Sequence, residues 1–224
     1  MLILTEACNL RCAYCYRGDP GGLQYMSRDI AEAGIRLAVS SGLPFHVQMT
    51  GGEPTLEPGL IERVAGLIRK EAWPATIGIQ TNGTLLDRAI IGIFKKYDIQ
   101  VGVSLDGPPE VQERVRGRAA STLKGLKLLR DQDMAFRVTT VITGQNVHAM
   151  GQLALLLGGF PNACGLGLDL LIARGRAVNA DTVMPPSPKD LKNGLKKLFQ
   201  ALNWVNENRS CPGTRPCRRQ SGKR

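Results

Sequence analysis

The stretch "CNLRCAYCY" (8–16) places Cys8, Cys12 and Cys15 within eight residues, separated by three and then two positions. A structural zinc site usually closes with four ligands. Three thiolates can instead hold three irons of a four-iron cubane and leave one iron open to an exogenous ligand. The spacing alone keeps two alternatives: a zinc site completed by a distant residue, or three packed thiols. Other polar clusters recur further along. "TGGEPTL" (50–56) combines Gly51 and Gly52, whose missing Cβ permits close backbone approach, with the Glu53 carboxylate and the turn-fixing Pro54. On its own it also fits a plain strand-to-helix turn. "TNGTLL" (81–86) carries Asn82 and "VSLDGP" (103–108) carries Ser104, both in turn-forming contexts. Arg116 follows in a polar loop, where Arg114 and Arg118 are equally placed by sequence.

These residues need a frame, and the apolar pattern predicts one. Strands are expected at 2–5, 45–50, 76–81, 99–105, 136–143 and 165–172, with period-3.6 helical segments at 27–42, 57–72 and 85–97. Further helices are expected after 121, with Ser121 as N-cap, after 148, and from Pro188 onward. Six strands each followed by a helix indicate parallel βαβ units. The polar clusters follow successive strands rather than gathering at one switch point. Functional residues at the C-terminal ends of many strands are the habit of (β/α) barrels. Six units fall short of eight, so the expectation is an α/β fold: an open partial (β/α)6 barrel over 1–187, a final amphipathic helix at 188–207, and a basic tail at 208–224.

Cys-x3-Cys-x2-Cys directly after the first strand, with Tyr14 before the last cysteine and Gly-Gly-Glu-Pro after the second strand, resembles the radical SAM superfamily. "TNGTLL", "VSLDGP" and "IARGRA" (172–177) resemble its branch of SPASM-type peptide or protein maturases and anaerobic sulfatase-maturing enzymes. The resemblance covers roughly residues 2 to 180. It implies that Cys8, Cys12 and Cys15 bind a [4Fe–4S] cluster. The open iron would take S-adenosylmethionine (SAM), whose reductive cleavage yields a 5′-deoxyadenosyl radical that abstracts hydrogen from the substrate. It further implies that Gly51, Gly52, Glu53 and Pro54 meet the methionine ammonium. Asn82 and Ser104 would meet ribose or carboxylate, Arg116 the methionine carboxylate, and Tyr14 the adenine or the cluster. A peptide or protein substrate and an electron donor such as flavodoxin or ferredoxin are the implied partners. A small-molecule substrate and a non-catalytic metal-binding scaffold are the competing readings.

The bulk properties agree with an enzyme of the cytoplasm. No run of eighteen apolar residues and no basic, apolar leader is present, so neither membrane span nor signal peptide is expected. The net charge is +10, but the six basic residues from Arg209 onward meet no acid, and without them the body carries +4. The tail has no aromatic residue for base stacking, so a nucleic-acid partner is not expected. That branch continues into a region of many cysteines, whereas only Cys211 and Cys217 follow the barrel here. The chain therefore reads as shortened or truncated, with one cluster. Cys164 is expected to be a buried small hydrophobe, and Asp169 to face substrate or pair with a barrel arginine.

Overall fold

The computed structural model describes residues 1–18, 24–178 and 183–208. Strands β1 (Leu2–Thr5), β2 (Phe45–Gly51), β3 (Ala75–Thr81), β4 (Ile99–Ser104), β5 (Phe136–Ile142) and β6 (Ala163–Leu170) form one parallel sheet. Their spatial order is β1-β2-β3-β4-β5-β6, and β6 does not return to β1. This is the expected open α/β architecture, six parallel strands in sequence order that do not close into a barrel.

The helices follow their caps. In α1 (Arg28–Val39) the Ser27 hydroxyl accepts from Ile30 N, and in α3 (Arg88–Lys96) the Asp87 carboxylate accepts from Ile90 N. α2 (Pro58–Lys70) begins on a proline, whose missing N–H costs nothing in the first turn. α5 (Ala119–Asp131) and α6 (Met150–Gly158) cover the later strands, and α7 (Pro188–Asn208) packs on α6 through Leu198, Met150 and Ala154.

Right-handed crossovers put these helices on one face of the sheet. Alternate strand residues, including Ile77, Ile79, Val101, Val103, Phe136 and Val138, point to that face and are fully or almost fully buried. Each such side chain contributes roughly 1.5–3 kcal/mol by leaving water. The intervening residues are left on the inner face, which is polar: His46, Gln48, Gln80, Ser104, Arg137 and Thr139. Glycines clear space for the long ones. A Cβ on Gly102 would lie 2.3 Å from Gln80 Oε1, and one on Gly165 would lie 3.0 Å from the Arg137 guanidinium carbon.

Four local expectations are corrected. Ser121 does not cap α5; the helix starts at Ala119, whose N–H donates to Glu113 Oε2 at 2.7 Å, after a turn with Gly117 and Arg118 at positive φ. The loop after β4 contains a helix, α4 (Pro109–Val115), because Val111 and Val115 lie one turn apart and pack with Tyr14. Cys164 is exposed, because β6 is the sheet's edge; its thiol donates to Phe136 O at 3.2 Å. Asp169 is exposed on the same strand in register with Val141, on the face of Arg137 and Thr139; of its two expected places, the pair with a barrel arginine is absent among the described residues. Cys211 and Cys217, with the basic tail, lie outside the described residues. Among the described residues no helix is long and apolar enough to cross a membrane.

Candidate active site at the cysteine loop

β1 ends at Thr5, and the chain then forms the loop that carries the three cysteines across the C-terminal strand ends. Backbone bonds tie this loop down from several directions. Gly52 N donates to Thr5 O and Glu53 N to Ala7 O, both at 2.8 Å. Ala13 N donates to Val115 O at 2.9 Å, which joins the loop to α4. From the far end of the sheet, Arg176 N donates to Cys15 O at 3.0 Å and Arg176 Nε to Cys12 O at 2.9 Å. Arg176 Nη1 reaches Gly18 O at 2.9 Å. Gly175 (φ +63°) allows this contact, since a Cβ there would lie 2.4 Å from Cys15 O. The "GRA" segment after β6 is thus a clamp on the cysteine loop.

The glycine pair after β2 has a different reason from the expected one. Gly51 has φ +150°, and its Cβ would lie 2.2 Å from Thr5 O; that of Gly52 would lie 2.1 Å from Ala7 O. The close approach these glycines permit is to the backbone entering the cysteine loop. Substituting Gly52 with Ala should therefore lower iron content and SAM affinity together, since Ala7 must move and Cys8 is its neighbour. Iron analysis beside a SAM titration checks this. Full iron with weakened SAM binding would show instead that the glycine faces the ligand.

Glu53 also turns inward. Its side chain is 0% exposed. Oε1 accepts from Thr55 N (3.1 Å), Thr55 Oγ1 (2.5 Å) and Thr81 Oγ1 (2.6 Å), and Oε2 accepts from Asn82 N (2.7 Å). Burial pushes its carboxyl up from the usual range, while the hydrogen bonds from Asn82, Thr55 and Thr81 oppose that. The carboxylate expected at an ammonium is spent on fastening the ends of β2 and β3 together. Pro54 opens the single 3₁₀ turn (Pro54–Leu56) that this bonding closes.

Asn82 is likewise committed. Its Oδ1 accepts from Thr84 N at 2.9 Å and Thr84 Oγ1 at 2.7 Å. Its Nδ2 donates to Asn9 Oδ1 at 2.9 Å and faces Cys8 Sγ at 4.0 Å, and Asn9 Nδ2 donates to Thr84 Oγ1 at 2.8 Å. Through these bonds Asn82 braces the first cysteine. Ser104 stands at the end of β4. Its oxygen accepts from Gln80 Nε2 at 3.0 Å on the inner face, which leaves its own proton to donate.

Sequence reasoning missed the residue that organises the other side of the loop. Asp106, in "SLDGP", is 0% exposed. It accepts from Tyr14 OH, from Arg116 Nε at 2.8 Å, from Thr140 Oγ1 at 3.1 Å and from Val141 N at 3.0 Å. Tyr14 is only 7% exposed, and burial pushes its phenol well up. Its hydroxyl is directed at Asp106, and its ring packs with Val111 and Val115 of α4. The Arg116 side chain is 11% exposed, stands 5.4 Å from the Tyr14 ring centre and aims Nη1 at Cys12 Sγ, 3.9 Å away. Burial lowers the affinity of its guanidinium for the proton, but the Asp106, Tyr14 and Cys12 charges more than restore it. The Arg116 guanidinium thus has a fixed place beside Cys12. Arg114 and Arg118 are exposed instead. Asp-Gly read as a turn, and nothing local announced that the turn's acid would face inward.

The three thiols share one loop but differ in exposure. Cys8 is exposed, Cys12 is 9% exposed and Cys15 lies between. Burial pushes the Cys8 and Cys12 thiols up, and Arg116 works against it at both. Bound iron would deprotonate such thiols outright. Leu10 N donates to Cys8 Sγ at 3.4 Å.

The profile of the Radical SAM superfamily matches residues 2–157. The Fe-coproporphyrin III synthase of Methanosarcina barkeri is 30% identical over 82% of this chain and 47% of its own. The subtilosin biosynthesis protein AlbA of Bacillus subtilis is 32% identical over 69% of this chain and 36% of its own. The chain thus spans about half or less of these two relatives. The solved anaerobic sulfatase-maturing enzyme anSMEcpe with bound AdoMet superimposes with a TM-score of 0.77 over 92% of this chain and 61% of its own, at 22% identity. The same enzyme has been solved with AdoMet and a peptide.

Proposed function

The chain belongs to the radical SAM superfamily of enzymes, and we propose that it modifies a peptide or protein substrate held along the inner face of the sheet. Members of this family are characterised by a [4Fe–4S] cluster and SAM. In our reading Cys8, Cys12 and Cys15 hold the cluster and leave one iron for SAM. One observation carries the proposal: three thiols on a loop fastened to β2, α4 and the segment after β6, at the end of an open, polar inner face.

When bound, cluster and SAM supply reductive cleavage of the sulfonium S–C5′ bond and hence hydrogen abstraction. The residues around them position and shield. Arg116 and the Asn82 amide place positive charge and N–H groups beside Cys12 and Cys8, which stabilises thiolate. Ser104 offers a hydroxyl donor at the end of β4. Gln48, Gln80 and Gln100 on the inner face suit amide groups of an extended peptide, and Arg137 suits a carboxylate. The peptide reading is supported by AlbA and by the peptide-bound anSMEcpe. The likeness to Fe-coproporphyrin III synthase favours a second reading, a small carboxylated substrate on the same face.

Anaerobically reconstituted protein, given reductant and SAM, is expected to form methionine and 5′-deoxyadenosine. With a deuterated peptide substrate, deuterium should appear in the 5′-deoxyadenosine. Label transfer from a tetrapyrrole but from no peptide would establish the second reading. Absence of SAM cleavage would overturn both.

A further inference from the structure

Two buried, oppositely charged side chains stand behind Cys12. Arg116 aims Nη1 at Cys12 Sγ, 3.9 Å away, and its Nε donates to Asp106 Oδ2 at 2.8 Å. The Arg116 side chain is 11% exposed and that of Asp106 0%. The carboxylate is itself held in place by Tyr14 OH, Thr140 Oγ1 and Val141 N. The guanidinium thus contacts the sulfur, and the carboxylate contacts the guanidinium. The donors to Cys8 Sγ differ: Leu10 N at 3.4 Å and Asn82 Nδ2 at 4.0 Å carry no net charge. Arg176 Nε meets Cys12 at its backbone carbonyl, not at its sulfur. A reduced cluster carries one more negative charge than an oxidised one. A cation beside a ligand sulfur therefore favours the reduced form and an anion opposes it, and both act more strongly where water is excluded.

We propose that Arg116 and Asp106 form a positioning pair that sets the reduction potential of a cluster bound at Cys12: the guanidinium raises the potential, and the carboxylate limits the rise. The inference rests on the cluster assignment made above. The couple concerned takes up one electron, supplied by dithionite in the test, and no bond is made or broken.

The test is a redox titration of the reconstituted protein without SAM, followed by electron paramagnetic resonance. Arg116→Gln should lower the midpoint potential. At a fixed solution potential the reduced-to-oxidised ratio should fall about tenfold, which is about 59 mV for one electron. Asp106→Asn should move the potential the other way by a similar amount. Arg116→Lys keeps the charge and should stay closer to wild type than Arg116→Gln. Added salt should change these shifts little, because both charges are buried. A merely structural role would give shifts of one sign, since either substitution breaks the same salt bridge. Shifts of one sign, or none, would overturn the proposal. If Arg116→Gln holds no cluster, Asp106→Asn decides alone: a raised potential supports the proposal, and an unchanged or lowered one overturns it. A wild type without a reducible cluster would overturn the cluster assignment and this inference with it. A reducible cluster that ignores both substitutions overturns this inference alone.

Discussion

Replacing Asp106 with Ala is expected to destabilise the protein by roughly 3–5 kcal/mol, because it leaves a buried guanidinium without its counter-ion. For a chain of this size that corresponds to a fall in Tm of roughly 6–20 °C, read by calorimetry or circular dichroism. The loss is not confined to one pair. Tyr14 OH, Arg116 Nε, Thr140 Oγ1 and Val141 N all donate to the same carboxylate, so four donors lose their acceptor together. Tyr14 and Arg116 are the links from this carboxylate to the cysteine loop and to Cys12. Reconstitution should therefore also yield less iron. Asp106→Asn keeps the shape and one acceptor oxygen, and should lose less of both. An unchanged Tm in Asp106→Ala would show that the Asp106–Arg116 pair contributes nothing net.

Changing Cys12 to Ala should bring iron and sulfide from about four per chain to near zero, and SAM cleavage below detection. Cys8→Ala and Cys15→Ala should do the same, since two thiolates do not replace three. The variants should fold, because Cys12 is held by backbone bonds from Arg176 and Cys15, not by its sulfur. Cys164→Ala provides the contrast: it lies at the start of β6, opposite the strand ends that carry the loop, and should keep full iron. Tight zinc binding without sulfide in the wild type would replace the cluster with a single-ion site.

Much of this was legible because periodicity and spacing are local properties. Alternation of period 2 and period 3.6 located six strands and their helices, and three cysteines after the first strand located the loop. The polar clusters after successive strands located the candidate site at the strand ends. Where periodicity was weak the boundaries moved, as at α4, whose two apolar residues one turn apart were too few to stand out in a polar segment. Cys164 failed for a related reason: a strand pattern does not say which strand is the edge.

By itself the sequence determined the open parallel α/β fold, the thiol triplet and its place, and the need for glycine at residues 51 and 52. Only the tertiary structure decided where the strand-end side chains point and what the glycines make room for. Glu53, Asn82, Tyr14 and Arg116 were expected at a ligand, and each is held within the protein by a partner that the sequence did not indicate, 10 residues away for Arg116 and 28 to 92 for the others. Asp106 and Arg176 lie in the quoted motifs "VSLDGP" and "IARGRA", but their role as fasteners of the cysteine loop had no local signal. At a strand end the backbone no longer fixes side-chain direction by alternation. A polar group there settles where buried donors and acceptors are best satisfied, and those belong to other strands.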